Sequence, residues 1–248
     1  MTGQPPLGHH AEVELTEGSF RALARSSPWR WRTLHFKRRS NDGTVEAWVR
    51  RPGELLVREV DGRDHYESGL PYVTSWLSTD PDSSGPEKRL PHQVAPPLRA
   101  DGLVAERPSD FDVSYDDPMY NDYTWVAMLD PVELSHHTLV DEVRTARHHG
   151  REVWRARVRA DEGYDPRCPC CVLLWSEIAA RESGEVDGVP FVPDRDVGYP
   201  DGFEVALDVQ SGVLVSLEPV GGDRSDLGID VQILEVDADV DGLFVGVG

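Results

Sequence analysis

The chain has 248 residues, 39% of them hydrophobic, and a formal net charge of −20. Its length and apolar content suffice for a buried core, in one large domain or two small ones. The charge argues against nucleic acid, whose phosphates reward Lys and Arg, and no apolar run reaches the roughly 18 residues a transmembrane helix needs.

The opening "MTGQPPLGHHAEVELTEGSF" has neither the basic n-region nor the apolar h-region of a secretory signal, so the cytoplasm is the expected location. The odd count of three cysteines suits that compartment better than a disulfide framework does. Residues 1–12 read as a flexible tail, and 13–248 as one domain. A short helix is expected from about Glu12 to Ser26, with Phe20, Leu23 and Ala24 on one face and Thr16 or Ser19 as cap. Pro28 breaks it.

Strands follow. "WRWRTLHFKRR" sets Trp29, Trp31, Thr33 and His35 on one row and Leu34 and Phe36 on the other. "SNDG" turns, "TVEAWVR" returns, "RPG" turns again, and "ELLVREV" leads through "DGR" to "DHYESG". Such short connections predict an antiparallel meander rather than βαβ units. Residues 21–63 are also basic, with eleven Lys and Arg against five acids. They either pair with the acidic remainder or form a local patch for an anionic ligand. From about 78 to 121 the chain is rich in Pro, Asp and Ser and reads as a long loop insertion, a lid or an exposed excursion.

Alternation resumes in "LVDEVRTARHHGREVWRARVRA", a hairpin with Trp154, Ala156 and Val158 on one face. "CVLLWSEIAARES" is expected to be helical, with Val172, Trp175 and Ala179 inward. "GFEVALDVQSGVLVSLEPVGG" makes another hairpin with Phe203, Val205, Leu207 and Val209 inward, and "IDVQILEVDADV" a last strand. The fold class is α+β, mainly antiparallel β.

In order and wording, "GTVEAWVRRPGELLVREVDGRDHY", "ARHHGREVWRARVRA", "YPDGFEVALDVQSGVLVSL" and "VQILEVDADVDGLF" resemble the LolA/LolB lipoprotein-carrier superfamily. That superfamily includes the amino-terminal domain of RseB-like sigma-factor regulators and LppX-like lipid carriers. The resemblance implies an unclosed β half-barrel whose concave face is covered by helices, with an apolar or acyl-bearing ligand held between. Trp29, Trp31, Trp48, Trp154 and Phe203 are the candidate lining residues; each could equally be ordinary core. The function expected from it is a non-catalytic carrier or binding protein. The alternative is an RseB-like regulatory module that meets a protein partner through its acidic surface.

Other chemistry is thinly marked. Cys168, Cys170 and Cys171 lie within "RCPCC", which leaves loop packing, a metal site and a redox pair all open; a structural zinc usually wants two spaced ligand pairs. Of the pairs His9–His10, His136–His137 and His148–His149, any that lie on a strand point to opposite faces and do not act together on one ligand, while His148 and His149 fall in an expected turn where both face solvent. The acidic runs lack calcium-loop spacing. Nucleophile-elbow, phosphate-loop and dinucleotide motifs are missing from the sequence, so neither enzyme activity nor a cofactor is expected.

Overall fold

A computed structural model describes residues 15–69, 89–108, 113–115, 117–168, 171–183, 198–224 and 226–245. The expected tail at 1–12, part of the 78–121 insertion and Cys170 lie outside the described residues.

Helix α1 (Glu17–Ala24) opens the described chain. Thr16 and Ser19 form a reciprocal cap: Ser19 N donates to Thr16 Oγ1 at 3.1 Å and Thr16 N to Ser19 Oγ at 2.8 Å. This satisfies donors that the first turn would leave open. Phe20, Leu23 and Ala24 are fully buried, as their spacing predicts. The helix is shorter than its pattern because Pro28 opens a 3₁₀ turn, Ser27–Trp29. That turn also moves Trp29 off the strand on which the alternation placed it.

Four strands then run as a meander: β1 (Thr33–Ser40), β2 (Gly43–Arg50), β3 (Glu54–Arg58) and β4 (Asp64–Ser68). Helix α2 (Thr124–Leu129) precedes a second meander, β5 (Thr138–His148), β6 (Arg151–Ala160), β7 (Gly202–Asp208), β8 (Leu214–Val220) and β9 (Ile229–Val236), with α3 (Glu177–Ser183) inserted after β6. Only the second half of the helix expected over the cysteine segment forms.

The nine strands make one sheet in the order β4-β3-β2-β1-β9-β8-β7-β6-β5. Every neighbouring pair is antiparallel. The two meanders meet where β1 pairs with β9, while β4 and β5 form the two ends of the sheet and do not pair with each other. The architecture is therefore mainly β and unclosed, as the resemblance implies.

The sheet is strongly curled. His149, just beyond the end of β5, places Nε2 2.7 Å from Asp230 Oδ1 on β9. Four strand spacings of about 4.8 Å separate β5 from β9 on a flat sheet, some 19 Å, far beyond the reach of these side chains.

Period-two alternation decides which residues enter the core. Leu34 and Phe36, Ala47 and Val49, Leu55 and Val57, Val231 and Ile233, Phe203, Val205 and Leu207, and Trp154, Ala156 and Val158 share one cluster with Phe20 and Leu23 of α1 and Trp125, Met128 and Leu129 of α2. The opposite row of β2 and β3 carries a small second cluster of Trp48, Leu56, Val240 and Phe244, with Tyr66 against it. Leu103, Val104, Val113, Tyr115 and Tyr120, from the stretch read as loops, are buried. Those described parts pack onto the fold.

Candidate functional site

The groove that combines most aromatic and charged chemistry begins where the 3₁₀ turn leaves α1. It has a volume of about 360 Å³ and is lined by Pro28, Trp29, Trp31, Arg32, Arg51, Pro52, Pro91, Tyr115 and Asp117, among others. Arg51, at the end of the β2 meander arm, organises its floor. Its guanidinium grips Asp117 through two bonds, Nε to Oδ1 at 2.7 Å and Nη2 to Oδ2 at 2.6 Å. Nη1 donates to Ser27 O at 2.7 Å, and the group lies 3.3 Å from the Trp31 ring centroid. A planar fork that is at once bidentate and stacked is a role Lys does not fill.

Trp31 Nε1 donates to Ser27 Oγ at 3.1 Å, and Ser27 Oγ in turn donates to Leu129 O at 2.5 Å. The floor is thereby tied to the end of α2. Trp29 forms the wall. Its Nε1 donates to Pro91 O at 2.8 Å and Val94 O at 3.0 Å, and its ring meets Tyr115 edge-on at 5.6 Å. Arg32 is exposed at the rim and has no side-chain ion pair among the described residues.

Tyr115 is shared with a second groove of about 330 Å³, lined by Arg107, Glu133, His136, Asp165 and Arg167. Beneath it lies a buried charge cluster. Asp130 has no exposed side-chain surface and is held by Arg107 through both oxygens and by Arg167 Nη1 at 2.6 Å. Burial opposes its ionisation, yet the two guanidinium groups outweigh that and hold the carboxyl below its usual range.

Glu133 behaves differently: burial pushes its carboxyl above the usual range. It accepts from Tyr164 Oη, from Arg167 N at 3.1 Å and from Leu173 N at 3.1 Å. Burial, followed by the Glu133 charge, raises the Tyr164 phenol in turn. One buried carboxyl thus ties down both ends of the cysteine segment. Perturbed acids beside a groove are how active sites often look; here the hydrogen bonds of Glu133 among the described residues go to Tyr164 and to the backbone of this loop.

The residues expected from sequence divide. Trp31, Trp154 and Phe203 are buried in the main core, Trp48 lies in the small cluster on the other face, and Trp29 stands half-buried at the groove. Cys168 and Cys171 are half-buried and joined by a Cys171 N to Cys168 O bond of 3.2 Å; Cys170 lies outside the described residues. No sequence signal singles out Asp117, Tyr115, Arg107 or Asp130, and Arg51 stands out only as one of the basic residues of 21–63. "RPG" carries turn chemistry alone, and Asp117 and Tyr115 lie in a stretch without periodicity.

No family model matches the chain, and none of the curated proteins matches it. Among solved structures it is similar to the complex of Pseudomonas aeruginosa MucA/MucB, at 14% identity and a TM-score of 0.39, over 93% of this chain and 61% of that one. It is similar also to a crystal structure of MucB, at 15% identity and a TM-score of 0.34, over 93% of this chain and 63% of that one. The chain spans less than two thirds of the length of these structures.

Proposed function

We propose that the protein is a non-catalytic binding module that takes an extended polypeptide segment of a partner into the Trp29–Arg51–Tyr115 groove. One observation carries this reading. Among the described residues, the sheet face that an acyl chain would occupy packs against the protein's own Phe20, Leu23, Trp125, Met128 and Leu129, which supports binding at a surface groove. Trp, Tyr and Arg are the residues that dominate binding hot spots, and this groove concentrates all three among prolines. Its floor is preorganised, since Arg51 and Trp31 are already fixed by Asp117 and Ser27. A ligand meeting it spends little on ordering protein side chains. Arg32, free of an ion pair among the described residues, selects a carboxylate beside the apolar side chain that rests on Trp29.

The test is selection of random linear peptides on the purified protein, followed by titration of the winners. Trp29→Ala is expected to weaken them about tenfold or more, and Arg32→Glu to reject those carrying acids. Peptides that bind both variants as tightly as the parent, or an acyl ligand found on the purified protein by native mass spectrometry with no peptide selected, would overturn the reading.

A further inference from the structure

His148 and His149 stand together at the β5–β6 turn, where the sequence leads one to expect two solvent-facing rings and the structure sets both against Asp230. The turn resolves this. His149 has φ +46° and Gly150 φ +84°, the paired left-handed conformations of a two-residue hairpin turn. They break the alternation at its last step, so both imidazoles fall on the same side. The curl of the sheet then carries them to Asp230 of β9. His149 Nε2 lies 2.7 Å and His148 Nε2 3.1 Å from the same oxygen, Asp230 Oδ1, with the rings 4.3 Å apart.

We propose that His148, His149 and Asp230 form a binding site for a divalent transition ion of the zinc class. One ligand atom from each residue lies within 4.8 Å of the other two. In a tetrahedral site with bonds of about 2.0–2.1 Å, ligand atoms stand roughly 3.3 Å apart. The existing separations are close enough that small side-chain rotations admit an ion. The donor set, two imidazoles and one carboxylate, suits zinc and its neighbours rather than magnesium or calcium.

A second observation points the same way. His148 Nε2 is shielded from solvent and, although 3.1 Å from Asp230 Oδ1, has no hydrogen-bond partner of acceptable geometry among the described residues. A buried nitrogen left so is uncommon and calls for a partner. Asp230 Oδ2 faces Arg39 Nη1 at 3.4 Å, an outer partner of the kind that orients a ligating carboxylate. The surrounding groove, about 600 Å³, leaves room for water to complete the coordination. A bound ion would clasp the hairpin tip to β9 and fix the curl.

The experiment is calorimetric titration of the metal-free protein with zinc chloride, with thermal unfolding as a second readout. It is run in a Cys168→Ser/Cys170→Ser/Cys171→Ser background so that thiols do not compete. One equivalent of zinc is expected to bind and to raise the unfolding temperature, while magnesium leaves it unchanged. His149→Asn keeps the left-handed backbone preference and removes the imidazole; it is expected to weaken zinc roughly tenfold or more, and Asp230→Asn likewise. Absence of zinc binding in the thiol-free protein, or binding unaltered in both His149→Asn and Asp230→Asn, would overturn the proposal. The peptide groove is not involved, so either reading stands or falls without the other.

Discussion

Asp130 carries its charge with no solvent around it, and it does so only because Arg107 and Arg167 approach from two sides. Removing one member of such a cluster leaves buried charge uncompensated. Asp130→Asn is therefore expected to cost about 3 kcal/mol or more in urea unfolding. The pH dependence follows from the direction of its shift. The folded carboxyl titrates below its unfolded value of about 3.9, so its contribution is complete above that pH and is lost as the pH falls from there through the lower folded value. Asp130→Asn should flatten this acid limb. Glu133, shifted upward, has the opposite sign: it favours the folded state at low pH and withdraws that support as the pH rises through its folded value. Its structural duty gives a separate prediction. Glu133→Ala frees Arg167 N and Leu173 N, so Cys168 and Cys171 should react several-fold faster with iodoacetamide; unchanged rates would show the loop is held by other contacts. None of this was legible beforehand. Asp130 resembles any acid before a proline, and its partners lie 23 and 37 residues away in the chain.

At the scale of elements the sequence is far more transparent. Period-two runs and the turns "SNDG", "RPG", "DGR", "RHHG" and "QSG" mark every hairpin from β1 to β8, because those signals are local. Two elements were misplaced for local reasons as well: Pro28 diverts Trp29 from strand β1, and the cysteine loop delays α3 until Glu177. Burial of Leu103, Tyr115 and Tyr120 could not be read, since irregular segments pack without a period. The "QSG" turn offers the sharpest test of element packing. Gly212 has φ +74°, and a Cβ there would stand 3.0 Å from Leu23 O and 3.2 Å from Ser27 N. Gly212→Ala meets both an unfavourable backbone conformation and the end of α1, and is expected to cost about 2 kcal/mol. A loss below a few tenths in chemical denaturation would mean the turn stands clear of the helix.

Across the whole molecule, the outline of an unclosed antiparallel sheet was readable while its seam was not. Pairing of β1 with β9 joins residues about 200 positions apart, such as His35 with Glu235. No turn chemistry announces a contact of that kind, whereas every other strand pair is sequential in the chain. The net charge of −20 also acts at this scale. Self-repulsion of an acidic chain weakens the compact state, and salt screens it. The unfolding temperature is therefore expected to rise from about 0.02 to 0.3 M sodium chloride; a fall would show that the ion pairs between strands outweigh the repulsion.

The seam has a further consequence. Because the first and last strands lie side by side at the middle of the sheet, the polypeptide's midsection forms its outer rims. A cut between β4 and α2 would leave two pieces, each a self-contained ribbon exposing one bare central strand to the other. Expressed separately, the halves should find each other and restore the far-ultraviolet spectrum of the intact chain, much as the two sides of a zip meet.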